Sequence, residues 1–225
     1  MKDTNRPEDG KKLISLRYWM LGRNMHLGLH ALEFGATFHT GMRKDGVTPE
    51  YQHQLDIAHF IRTFIGHLDF PEECLAASCL HDVCEDYDVG FDEISTKFGP
   101  KVSKAVSLLT KKHRGDKIPL EIYYKEIAKD PIASIVKGAD RINNIQSMVG
   151  VFSLEKQKQY MEETENLVLP MLKIARRQFT TQESAYENMK FVLESQIDLI
   201  KAIHAAKEED HESHQMAGDN KLSQR

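Results

Sequence analysis

A basic excess is missing from this sequence: 34 acidic side chains outnumber 30 lysines and arginines, for a net charge of -4. Such a chain lacks the electrostatic footprint of a general nucleic-acid binder, and an anionic ligand would need basic residues gathered locally. Long apolar runs are missing too. None approaches the roughly 20 residues of a membrane span, so no membrane partner is expected, and the polar stretch 1–10 carries no apolar signal region. Cysteine is scarce, with Cys74, Cys79 and Cys84 five apart on one expected helix. That is not a zinc spacing, and an odd count within one helix makes a poor disulfide framework, so buried free thiols in a reducing cytoplasm are expected. Strand alternation, internal repeats and low-complexity blocks are absent as well.

What remains is helical periodicity. With 225 residues, 40% of them hydrophobic and 28% charged, the chain can bury a substantial core as one domain with a small appendage. Leu27, Ala31, Phe34 and Phe38 form a helical stripe ending near Thr40-Gly41, and Arg43-Lys44-Asp45-Gly46 reads as an exposed turn. Thr48-Pro49-Glu50, Pro71-Glu72-Glu73 and Asp130-Pro131 are helix-start signals, with a capping side chain or first-turn acid around proline at the first helical position. The helix opened at Pro71 is expected to run on through Asp86. A basic loop spans 111–117, and a long helix over 153–179 should kink at Pro170. A final helix follows over about 182–204. The fold class is therefore all-α, a compact bundle of many short helices with a long C-terminal helical pair. The expected organisation is a disordered lead over 1–10, a domain over 11–180, a helix over 181–205 packed on it, and a disordered, apolar-poor tail over 206–225.

Polar residues concentrate in His81-Asp82-Val83-Cys84-Glu85-Asp86, directly after the apolar run Leu75-Ala76-Ala77-Ser78-Cys79-Leu80. If helical, this stretch aligns His81 with Glu85, and Asp82 with Glu85 and Asp86. Carboxylates at a core edge cost about several kcal/mol per desolvated ion unless paired or bound to a metal. A plain polar helix end accounts for His81-Asp82 equally well. Further metal ligands would have to come from other helices, and two candidates stand out: His53, and Asp140 within the apolar run Ile135-Val136-Lys137-Gly138-Ala139-Asp140-Arg141-Ile142. Asn144 and Ser147, four and seven positions on, share a face with Asp140.

The set His53, His81-Asp82 and Asp140 resembles the HD-domain metal-dependent phosphohydrolases. Over about 26–148, the Arg43-Lys44-Asp45-Gly46 turn, the His81 to Asp86 motif and Ala139-Asp140-Arg141-Ile142-Asn143-Asn144 are similar to the hydrolase domain of the RelA/SpoT homologues, and the length matches a small alarmone hydrolase without synthetase or regulatory domains. The resemblance implies hydrolysis of (p)ppGpp at the 3′-diphosphate to give GDP or GTP and pyrophosphate. It assigns one divalent ion, typically Mn2+, to His53, His81, Asp82 and Asp140. Glu85 and Asp86 would handle the attacking water, Arg43 would stack on the guanine, Lys44 would sit beside the nucleotide, and Asn144 and Ser147 would contact its sugar or 5′ side.

Some residues depart from the family pattern. Phe38-His39-Thr40-Gly41-Met42 replaces a more polar run, Tyr87 stands in place of threonine, and Gly138 in place of leucine. These border the expected pocket and motivate a second reading, an HD phosphohydrolase acting on another nucleotide: a mono- or triphosphate, an adenine alarmone, or NADPH. A third reading is a non-enzymatic nucleotide sensor. His26, His30, His59 and His67 read as packing or surface residues, and the 111–117 loop reads either as a solvated connection or as a phosphate neutraliser.

Overall fold

The structure is a computed structural model and describes residues 7–113 and 116–222. It is all-α apart from one minimal hairpin. The helices are α1 (Pro7–Leu21), α2 (His26–Ala36), α3 (Gln52–Ile61), which tightens into a 3₁₀ turn at Arg62–His67, α4 (Pro71–Leu80), α5 (Val83–Asp86), α6 (Phe91–Phe98) and α7 (Pro100–Leu109). Strands β1 (Lys112–His113) and β2 (Asp116–Lys117) pair antiparallel. Then come α8 (Leu120–Ile127), α9 (Pro131–Met148), α10 (Leu154–Glu163), a π-helical turn at Thr164–Val168, α11 (Leu169–Gln178) and α12 (Glu183–Leu222).

Helix α4 is the axis of the bundle. Every residue from Cys74 to Leu80 is buried, and α2, α3, α7 and α9 all pack on it. Its close approach to α2 depends on Gly35, where an added Cβ would lie 2.5 Å from the Cys79 carbonyl oxygen. The three cysteines are free and buried as expected. Burial pushes the Cys79 thiol up to about 12, which leaves it inert at neutral pH. No helix among the described residues is long and apolar enough to cross a membrane.

Helix α9 begins as its sequence says it should. Asp130 accepts from the amides of Ile132 and Ala133 at 3.0 and 2.9 Å, and Pro131 takes the first helical position, where its missing N–H costs nothing. Behind α9 lies α12, whose buried side chains include Ala185, Tyr186, Met189 and Leu193. A Cβ at Gly138 would stand 2.6 Å from Met189 Sδ and 3.0 Å from Leu172 Cδ2. The glycine that replaces the family leucine is thus what lets α11 and α12 close on α9.

Several boundaries differ from expectation. Thr48 does not cap a helix: its hydroxyl and amide go to Asp45 within the preceding turn, and α3 starts at Gln52. Helix α2 stops at Ala36, and Phe38 continues its apolar face outside the helix. Helix α4 ends at Leu80, and α5 is a separate single turn. Near the expected kink at Pro170 the helix winds as a π-helical turn over Thr164–Val168, and Pro170 falls in the first turn of α11, where a missing N–H is tolerated. The loop expected over 111–117 is a short hairpin, with residues 114–115 outside the described range. The expected disordered tail is helical as far as Leu222. Continuing a packed helix requires no new nucleus, and the Ala, Glu and Lys of this segment are good helix formers. Helix α1 likewise reaches back to Pro7; residues 1–6 and 223–225 lie outside the described range.

Candidate metal centre and cleft

Four side chains from three elements meet at one end of α4. His53 stands on the first turn of α3, His81 and Asp82 occupy the break between α4 and α5, and Asp140 comes from the middle of α9. The break at Leu80 matters. A continued helix would carry His81 and Asp82 to faces about 100° apart, whereas here His81 Nε2 lies 2.9 Å from Asp82 Oδ2. His53 Nε2 is 3.1 Å from Asp140 Oδ1 and 4.0 Å from Asp82 Oδ2, and His81 Nε2 is 3.9 Å from Asp140 Oδ1. His53, His81 and Asp82 each offer one ligand atom within 4.8 Å of the others, and Asp140 joins through both histidines.

The chemistry of this donor set fits a divalent cation. His81 Nε2 is fully buried and makes no hydrogen bond, although it lies within ion-pair range of Asp82. An orphaned buried nitrogen facing two carboxylates is what a metal site looks like without its ion. The outer atoms of three of these four side chains are tied. His81 Nδ1 bonds the Ser78 carbonyl at 2.9 Å, His53 Nδ1 pairs with Asn143 Oδ1 at 2.7 Å, and Lys137 Nζ donates to Asp140 Oδ2 at 2.6 Å.

The electrostatics agree with this geometry. Burial would push Asp82 up, but His81 beside it holds its carboxyl down to about 2. For Asp140, burial is likewise overridden by Lys137 and then His53, leaving the carboxyl well below the usual range. Burial disfavours a charged His81, yet Asp82 and Asp140 raise it to about 9.

The centre opens into a cleft of about 700 Å³. Glu85 and Asp86 line it from α5. Burial, then the charges of Asp82, Glu85 and Glu50, raise Asp86 to about 6, while Glu85 Oε2 accepts from the Lys111 amide at 2.7 Å. Arg43, Lys44, Asn144 and Ser147 line it as well. Arg43 reaches Asn144 Oδ1 at 3.4 Å and Ser147 Oγ at 3.3 Å, and Asn144 in turn donates to Asp140. Lys44 Nζ lies 5.3 Å from the Phe152 ring centre. All ten residues singled out in the sequence therefore meet in this centre and the cleft it opens into. His30 instead packs on Phe98, and His59 faces the Lys12 carbonyl.

Sequence reasoning passed over Lys137, Asn143 and Glu50. Lys137 and Asn143 stand three residues either side of Asp140, so the helical face rule alone could have flagged them. Glu50 had no such signal; it accepts from Tyr87 Oη at 3.0 Å on the cleft wall.

Comparison with known proteins agrees with this architecture. The HD-domain family model matches residues 31–171, and the chain belongs to the HD-domain family. Among individual relatives, the guanosine-3′,5′-bis(diphosphate) 3′-pyrophosphohydrolase of Aquifex aeolicus is 31% identical over 148 residues, covering 63% of this chain and 20% of that protein. The GTP pyrophosphokinase rsh of Brucella melitensis is 30% identical over 141 residues, covering 59% of this chain and 18% of its own. The chain thus matches about a fifth of the length of these curated relatives. A solved structure of a metazoan SpoT orthologue that hydrolyses ppGpp superposes with a TM-score of 0.61 at 22% identity, covering 77% of this chain and 94% of that one. It shares the fold.

Proposed function

We propose that this protein is a metal-dependent (p)ppGpp hydrolase of the cytoplasm, which cleaves the 3′-diphosphate to give GDP or GTP and pyrophosphate. The observation that carries the reading is that a cleft lined by Arg43, Lys44, Asn144 and Ser147 opens from the point where His53, His81, Asp82 and Asp140 converge. These four residues would hold one divalent ion, Mn2+ in our reading, since mixed imidazole and carboxylate donors suit a borderline ion. When bound, such an ion polarises a phosphoryl oxygen and acidifies water.

The chain's own residues supply the rest. Water attacks the phosphorus attached to the 3′-oxygen, that P–O bond breaks, and the leaving 3′-oxygen becomes a hydroxyl by taking up the proton that Asp86 has accepted from the water. Asp86, raised to about 6, is matched to accepting the water's proton near neutral pH. Glu85, fixed by the Lys111 amide, orients the same water. Arg43 exchanges its weak bonds to Asn144 and Ser147 for the face of the base, which frees those two side chains for the sugar or 5′ side. Lys44 adds positive charge next to the anionic nucleotide.

A second reading keeps this machinery and changes the nucleotide. Glu50, which lines the cleft and accepts from Tyr87 Oη, supports it, since the resemblance implies threonine at position 87. One experiment separates the two. The protein with Mn2+ is incubated with ppGpp, pppGpp, adenine alarmones, NADPH and nucleoside mono- and triphosphates, the products are resolved chromatographically, and Asp82→Ala serves as control. GDP and pyrophosphate from ppGpp, lost in the control, support the first reading. Turnover of another nucleotide with ppGpp untouched supports the second. Nucleotide binding without turnover, unchanged in Asp82→Ala, would instead indicate a sensor.

A further inference from the structure

Both histidines of the centre aim Nε2 inward, and the partner on Nδ1 fixes that orientation. For His81 the partner is the Ser78 carbonyl, a backbone group that α4 supplies whatever side chains surround it. For His53 it is the side chain of Asn143, from a different helix, with Oδ1 2.7 Å from Nδ1. An amide oxygen only accepts, so Nδ1 must carry the proton, and Nε2 is then the atom left to bind an ion. Asn143 stands one helical turn after Asp140 on the same face of α9. A single turn therefore provides one candidate ligand and the group that orients another. Asn143 is half-buried at the cleft edge and uncharged, so a neutral replacement changes the orientation of His53 without changing the charge beside the ion.

We propose that Asn143 is a positioning residue that holds His53 in its ligating tautomer and so sets the affinity of the centre for its metal. The proposal rests on the metal-centre reading above, and the test keeps the two apart. The full chain, stripped of metal, is titrated calorimetrically with Mn2+ as wild type, Asn143→Leu and Asn143→Asp. The leucine has a similar volume and no acceptor, whereas the aspartate still accepts the Nδ1 proton.

The expected result is Mn2+ binding about 10–100-fold weaker in Asn143→Leu, with Asn143→Asp within about threefold of wild type or tighter, since a carboxylate behind a ligating histidine raises its basicity. Steady-state assays should split the same way: Asn143→Leu needs more Mn2+ for half-maximal rate but approaches the wild-type kcat once saturated. Equal affinity in Asn143→Leu and wild type would overturn the proposal. Equal loss in both variants would also overturn it, because the hydrogen bond would not be the cause. A wild-type chain that binds no Mn2+ would bring down the metal-centre reading itself.

Discussion

The candidate metal ligands and the arginine of the cleft are held to different standards. On the metal side, three of the four candidate ligands are held from behind by a short bond: Ser78 on His81, Asn143 on His53 and Lys137 on Asp140, at 2.9, 2.7 and 2.6 Å. On the recognition side, Arg43 rests on Asn144 and Ser147 at 3.4 and 3.3 Å, from an exposed turn between α2 and α3. Long, weak bonds cost little to exchange for a ligand, whereas a catalytic constellation works only if it does not move. Rigidity is placed where bonds change, and slack where the nucleotide must be admitted.

The contrast can be attacked from either side. On the rigid side, Asp86→Asn should lower kcat about 10²–10⁴-fold while calorimetry shows Mn2+ binding intact; a variant of near-normal kcat would remove Asp86 from the chemistry. On the slack side, Arg43→Ala should raise KM only about two- to fivefold, the worth of an exposed cation–π contact, with kcat nearly unchanged. The smallest effect concerns the Arg43 turn itself. The Thr48 hydroxyl, then the Thr48 and Val47 amides, hold the Asp45 carboxyl down to about 2 from its ordinary 3.8. A carboxyl depressed by folding stabilises the folded state above its unfolded value, and that contribution is lost as pH falls through the folded one. The turn should therefore stay ordered at pH 4 and loosen near pH 2. NMR shifts of the Val47 and Thr48 amides would follow the change, and Asn at position 45 should abolish the titration.

Much of this was legible in the sequence because it is local. Asp130-Pro131 specifies a cap whose partners lie two and three residues away, and the structure has it. The candidate ligands were legible because a carboxylate such as Asp140 amid Ile135, Val136 and Ile142 is out of place without a partner. What failed were junctions decided by distant packing. Thr48 could cap a helix on propensity alone, but Asp45 competes for the same groups and α3 begins later. The break after Leu80 has no proline or glycine to announce it; it follows from His81 and Asp82 both turning toward side chains on α3 and α9. The shell behind the ligands was missed for a similar reason. Spacing could have put Lys137 and Asn143 on the Asp140 face, but could not show that Asn143 holds His53, which lies on a different helix.

Gly138 carries a last consequence. Lys137 just before it and Asp140 two residues after it face the cleft, while Gly138 itself sets how near Met189 and Leu172 can come. Tyr186 of α12 also bonds Ser134 at 2.8 Å, one turn earlier. The C-terminal helix is in this sense the mould against which the metal-bearing helix is cast. Transplanting the segment 31–171 into another scaffold would carry over every candidate ligand and leave behind the surface that holds their helix in place.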